Sequence, residues 1–181
     1  MFTILKTKTV FHHPRITILE DEILLPQGEK STYLKFKTVG RAAEIICIRE
    51  DGKILIQKEY SHPLEEQIYQ FPGGFVSEEE DLKIGANREL MEEAGYEATK
   101  LELIGRYISN HRRSSFTHYV FLGTSLIEKK LQQDIEESFE SFWFTPEEID
   151  ALILNGSMIN GHLLSVWSIY NAYSKSVLKH H

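Results

Sequence analysis

The chain has 181 residues, 41% of them apolar, enough for one domain with a sizeable core and a small appendage. A formal charge of −7 argues against a general nucleic-acid surface, and the single cysteine, Cys47, allows no internal disulfide. No apolar run reaches the length of a membrane span and no signal-peptide pattern opens the chain, so a reducing, cytoplasmic setting is expected.

Residues 1–37 alternate as strands do, with 3–10, 15–19, 22–25 and 32–37 as candidates, broken by Pro14, Asp21 and Pro26-Gln27-Gly28. A sheet this small is marginal by itself. Its apolar residues, among them Ile4, Val10, Ile16, Ile18, Ile23, Leu24, Leu34 and Phe36, exceed what a lone hairpin needs. A homodimer with these strands at or across the interface is therefore expected. Residues 41–48 and 53–60 are strands joined by a turn holding Asp51-Gly52, a hairpin signal. Cys47, within Ile45-Ile46-Cys47-Ile48, reads as a buried small hydrophobe. Glu44 interrupts the same run and either lines a pocket or faces water. Residues 67–71 form a short strand leading into a glycine pair.

That pair opens the most informative stretch, FPGGFVSEEEDLKIGANRELMEEAGY, residues 71–96. Ser77 and Glu80 make an S-x-x-E capping box that predicts a helix starting near Glu78, with Glu78 to Asp81 loading its first turn. Leu82, Ala86, Leu90 and Ala94 recur every four residues and predict a core-facing stripe, and Gly95 is placed to end the helix. Glu89 and Glu93 share one helix face, with Glu92 at its margin. Like charges at this spacing repel by a few tenths of a kcal/mol in an isolated helix. Clustered Glu on a helix commonly means only a solvated face. Where the cluster is compensated by a cation, carboxylate oxygens suit Mg²⁺ or Mn²⁺ rather than zinc.

Further along, 100–108 and 117–125 are predicted strands. The polar loop between them carries His111, Arg112 and Arg113, and arginine forks match phosphate oxygens bidentately. Residues 126–137 read as a charged loop ending in Asp134-Ile135-Glu136-Glu137, followed by a strand at 139–144. Thr145-Pro146 caps a helix that Asn155-Gly156 stops. The last helix, 161–176, carries the stripe Leu163, Val166, Trp167, Tyr170 and Tyr173.

Gly74, Glu80 and Arg88-Glu89-Leu90-Met91-Glu92-Glu93-Ala94-Gly95-Tyr96 closely resemble the Nudix box, G-x5-E-x7-R-E-U-x-E-E-x-G-U, with U a bulky apolar residue. Chance would supply the pattern in about one in a million chains of this length. Tyr96 is a soft departure, since an aliphatic residue is commoner there. The resemblance implies an α/β fold, a Nudix α/β/α sandwich with a mixed sheet spanning 39–181, preceded by a small N-terminal antiparallel sheet at 1–38. It implies hydrolysis of a nucleoside diphosphate linked to another moiety, with Mg²⁺ or Mn²⁺. Glu89 and Glu93 would ligate metal, Glu92 directly or through water, and the Gly73 carbonyl would add a ligand. Arg88 would pair with Glu80, and Gly74 and Gly95 would shape the box.

Leu25-Pro26-Gln27-Gly28 is similar to the L-P-x-G turn of the branch that cleaves ADP-ribose and related nucleotide sugars, whose N-terminal sheet exchanges across a dimer. By the pattern of that branch, Tyr60 would lie by the nucleobase and Glu136 or Glu137 would be the catalytic base, with His111 or the box's own Glu92 as other routes. By their own chemistry Gln70 suits a base or ribose, and Arg112 and Arg113 suit phosphates. Ser61 stands where the branch usually has Arg, and Gln70-Phe71-Pro72-Gly73-Gly74 replaces E-L-P-A-G. A catalytically silent Nudix domain that binds nucleotides or RNA is the other reading, although such relatives usually lose box glutamates that this chain keeps.

Overall fold

A computed structural model describes residues 1–132 and 138–178. Residue contacts divide the chain into two compact units, one of Met1–Val39 with Asn110–Phe116 and one of Gly40–Ser109 with Thr117–His181.

The first unit is a three-stranded antiparallel sheet, β1 (Thr3–His13), β2 (Ile16–Leu24) and β3 (Lys30–Phe36), in that spatial order. Asp21 does not break a strand, contrary to the sequence expectation, and β2 runs through it. Its carboxylate is almost fully buried, accepting from Thr7 Oγ1 at 2.6 Å directly across the ladder and pairing with Lys35 Nζ at 2.5 Å. Those bonds hold the Asp21 carboxyl below its usual range. A paired carboxylate can occupy a strand position that an unpaired one would not. The Pro26-Gln27-Gly28 turn forms, with the Gly28 amide donating to Leu25. Ile4, Leu5, Val10, Phe11, Ile16 and Leu34 stay exposed on this unit.

The second unit holds two sheets. One has the order β7 (Gly73–Val76), β4 (Arg41–Cys47), β9 (His118–Glu128), β8 (Tyr96–Tyr107), and β4 lies parallel to β9 while the other pairs are antiparallel. The other has β5 (Ile54–Ser61) between β10 (Phe139–Phe144) and β6 (Glu66–Gln70). The Asp51-Gly52 turn forms as expected, but its two strands share only the bridge Ile48–Ile54 before leaving for different sheets. Alternation along β4 gives the sheet two apolar faces. Ala43, Ile45 and Cys47 pack with Ala86 and Leu90 of α1 (Leu82–Glu93), while Ile46 packs with Leu163 and Val166 of α3 (Gly161–Leu178). Ile149 of α2 (Pro146–Leu154) joins the second cluster. The result is a mixed α/β architecture with helices on both faces. Burial pushes the Cys47 thiol far above its usual pKa, so it is inert packing.

Helix α1 starts later than the S-x-x-E pattern predicts. Asp81 is the N-cap, accepting from the amides of Lys83 and Ile84, and Ser77 to Glu80 lie outside the helix. Glu80 is taken by Arg88, so it cannot close a box with Ser77. Gly95, at φ 74°, ends the helix as expected. Likewise β9 runs to Glu128, into a stretch expected to be loop. No helix among the described residues is long and apolar enough to cross a membrane.

Candidate active site

The loop from Phe71 and the C-terminal turns of α1 enclose a cleft of about 570 Å³. Glu59, Gln70, Gly73, Gly74, Phe75, Arg88, Glu89, Glu92, Glu93, Gln132 and Phe139 line it. Four carboxylates thus face one arginine among the described lining residues.

Backbone geometry explains the glycine pair. Gly73 sits at φ 142°, and a Cβ there would overlap the Ala43 carbonyl oxygen. A Cβ on Gly74 would lie 2.5 Å from Glu89 Oε2, so a larger residue there would push this carboxylate aside. The Gly73 amide donates to Glu93 Oε2 at 2.9 Å and fixes that buried side chain.

Arg88 organises the rest. Its Nε and Nη2 donate to the two oxygens of Glu80 at 2.9 and 3.1 Å, a fork on a carboxylate. Its Nη1 reaches Glu89 Oε1 at 2.8 Å and Glu92 Oε2 at 2.9 Å, and Nη2 also donates to the Phe75 carbonyl. The hydrogen bonds from Arg88 hold the Glu80 carboxyl below its usual range. Glu59 goes the other way, because partial burial raises its pKa against a hydrogen bond from Gln70.

An all-oxygen donor set of this density fits a hard divalent cation. Arg88 draws Glu89 and Glu92, and the Gly73 amide holds Glu93. A trio whose ligand atoms converge among the described residues, all within 4.8 Å, is Glu44, His118 and His162.

The profile of the NUDIX domain matches residues 38–165. The chain belongs to the Nudix family. The ADP-ribose pyrophosphatase of Bacillus subtilis (strain 168) is 31% identical over 146 residues, covering 80% of this chain and 78% of that protein. The methanol dehydrogenase activator of Bacillus methanolicus is 27% identical over 133 residues, covering 74% of this chain and 71% of that one. A solved ADP compounds hydrolase has the same fold, with a TM-score of 0.89 at 21% identity over 97% of this chain and 95% of that one. Membership makes the chain a Nudix pyrophosphohydrolase.

The Nudix cleft gathers Gly73, Gly74, Glu89, Glu92, Glu93, Arg88 and Gln70. It does not gather Tyr60, Arg112 or Arg113. Alternation along β5 turns Glu59 toward the cleft and leaves Tyr60 exposed beside His62. Arg112 and Arg113 belong to the first unit, in a cleft of about 470 Å³ with Tyr33, Lys35 and Lys37. There the Arg113 guanidinium lies 5.1 Å from the Tyr33 ring and donates to the Leu34 carbonyl at 3.2 Å, while the Tyr33 hydroxyl donates to the Arg112 carbonyl. His111 lines that same cleft. Glu136 and Glu137 lie outside the described residues. Sequence reasoning missed Glu59, Phe75 and Phe139. Period-two alternation from the buried Leu55 and Gln57 could have pointed Glu59 inward, but nothing local places Phe139 opposite it, as the β5–β10 register does.

Proposed function

We propose that this Nudix hydrolase cleaves the pyrophosphate bond of a nucleoside diphosphate derivative, ADP-ribose or another nucleotide sugar, with Mg²⁺ or Mn²⁺. The observation that carries the reading is the convergence of Glu89, Glu92, Glu93 and Glu59 on one cleft beside Arg88 and the glycine pair. The activity named for the Bacillus subtilis relative supplies the substrate class.

Glu89, Glu92, Glu93 and the Gly73 carbonyl would hold the metal. Bound there, it would neutralise phosphate oxygens and lower the pKa of a coordinated water. The chain's own groups do the positioning. Gly73 and Gly74 keep the loop thin enough for close approach. Arg88 keeps Glu89 and Glu92 oriented. Gln70 offers an amide to ribose or base, and Phe75 and Phe139 offer aromatic faces to a planar base. Water attacks one phosphorus, the bond to the bridging oxygen breaks, and a nucleoside monophosphate and a phosphorylated remainder leave. Glu136 or Glu137 accepts the proton of the attacking water. In this reading residues 39–181 form the hydrolase domain, residues 1–38 an extension, and the exposed apolar strands of that extension mediate a homodimer.

A panel of nucleoside diphosphate derivatives with product identification tests the reading. Mg²⁺-dependent conversion of ADP-ribose or a nucleotide sugar to the nucleoside monophosphate is expected, and inertness toward every member contradicts it. General-base loss lowers kcat by about 10²–10⁴-fold with KM little changed. Glu136→Gln or Glu137→Gln should show that loss. If both keep full kcat, Glu59→Gln and His111→Ala identify the group that replaces them.

A further inference from the structure

On the α3 side of the β7-β4-β9-β8 sheet, away from the Nudix helix, lies a polar cluster with no part in the cleft. Glu44 comes from β4, Tyr107 from the end of β8, His118 from the start of β9 and His162 from the first turn of α3. Glu44 and His118 are buried, while the His162 side chain is 47% exposed and opens the cluster to solvent. Glu44 Oε1 lies 3.1 Å from His118 Nδ1 and 3.6 Å from His162 Nδ1. The Tyr107 hydroxyl lies 2.8 Å from both Glu44 oxygens and 2.8 Å from His162 Nδ1. The rings of His118 and His162 approach to 4.5 Å between centroids.

We propose that Glu44, His118 and His162 bind one late transition-metal divalent cation, Zn²⁺ foremost. Zinc bonds of about 2.0–2.2 Å in tetrahedral geometry set neighbouring ligand atoms about 3.3–3.6 Å apart. Two of the three edges, at 3.1 and 3.6 Å, already sit near that spacing, and the third pair lies within 4.8 Å. Two imidazoles with one carboxylate form a donor set for zinc and its neighbours, whereas Mg²⁺ prefers oxygen alone.

Charge points the same way. Among the described residues no lysine or arginine pairs with Glu44; its oxygens meet the Tyr107 hydroxyl and two imidazoles, so a bound cation would supply the counter-charge. The supports around the trio also match a metal site. His118 Nε2 lies 3.2 Å from Ser109 Oγ, which can accept its proton and leave Nδ1 to ligate. Tyr107 stacks on His118 at 4.6 Å and holds the carboxylate by its hydroxyl. The half-exposed His162 side faces solvent, from which water would supply a fourth ligand. Because Glu44, His118 and His162 lie on β4, β9 and α3, the ion would clamp the sheet to that helix.

The test is Zn²⁺ binding by the EDTA-dialysed full chain, read by competition with a chromogenic chelator at saturating Mg²⁺. One Zn²⁺ per chain is expected in the wild type and in Glu93→Gln, a change in the Nudix cleft. His162→Ala, which removes a half-exposed side chain and leaves the core intact, should weaken binding at least about tenfold, as should Ser109→Ala, at about 10–100-fold. Co²⁺ in place of Zn²⁺ should give the intense visible bands of a tetrahedral site, absent in His162→Ala. The proposal is overturned if the wild type binds no stoichiometric Zn²⁺. It is equally overturned if His162→Ala binds as tightly as the wild type, or if Glu93→Gln alone abolishes binding.

Discussion

Arg88 touches three carboxylates and a backbone carbonyl, so its removal leaves more than one partner exposed to repulsion. Arg88→Ala should lower stability, and a double-mutant cycle with Glu80→Ala should return a coupling of about 0.5–3 kcal/mol by urea denaturation. Zero coupling would break the pairing. The sign of the pH dependence follows from Glu80. Its folded pKa is depressed by Arg88, so the stability it lends is fully present above the ordinary carboxylate value. That stability is lost as pH falls through the depressed folded value. The difference between wild type and Glu80→Gln should therefore be constant near neutrality and shrink in acid. Glu59 has the opposite sign: its pKa is raised by burial, so any stability it lends is present in acid and fades as pH rises through the raised value.

At the scale of the element, the start of α1 is decided by a competition. Ser77 and Asp81 are both capping residues, and the pattern of letters favours Ser77 with Glu80. Asp81 wins because Glu80 is held by a guanidinium two turns into the helix. Asp81→Ala should thus cost about 1 kcal/mol in a thermal or urea melt, and Ser77→Ala should stay within about 0.5 kcal/mol. The reverse order would restore the earlier start. The same distinction governs what the sequence discloses. The stripe Leu82, Ala86, Leu90 and Ala94 is legible because a helical period is local, and so are Thr145 and Gly95 at helix ends. The fate of Asp21 and the parting of β4 from β5 are not, because each depends on partners far along the chain: Thr7 and Lys35 for the first, β9 and β10 for the second.

Across the whole molecule, the Nudix box can be read because its carboxylates fall within one short stretch. Glu59 and Phe139 join the cleft from other strands, and Glu44, His118 and His162 meet only once the sheet and α3 are assembled. In the first unit Ile4, Val10, Phe11, Ile16 and Leu34 are exposed on a small sheet, an apolar surface that a second copy of the chain would cover. Light scattering should report a dimer for the full chain at micromolar concentration, and a monomer there would contradict it. The central claim, that the box carboxylates of α1 hold the hydrolytic metal, is tested most directly by Glu93→Gln. The amide keeps an acceptor for the Gly73 N–H, so the fold is preserved while the anionic ligand is lost. At saturating Mg²⁺ and an unchanged melting temperature, kcat is predicted to fall by about a thousandfold or more, several kcal/mol of lost metal assistance. Near-normal turnover in a folded Glu93→Gln protein would contradict the account.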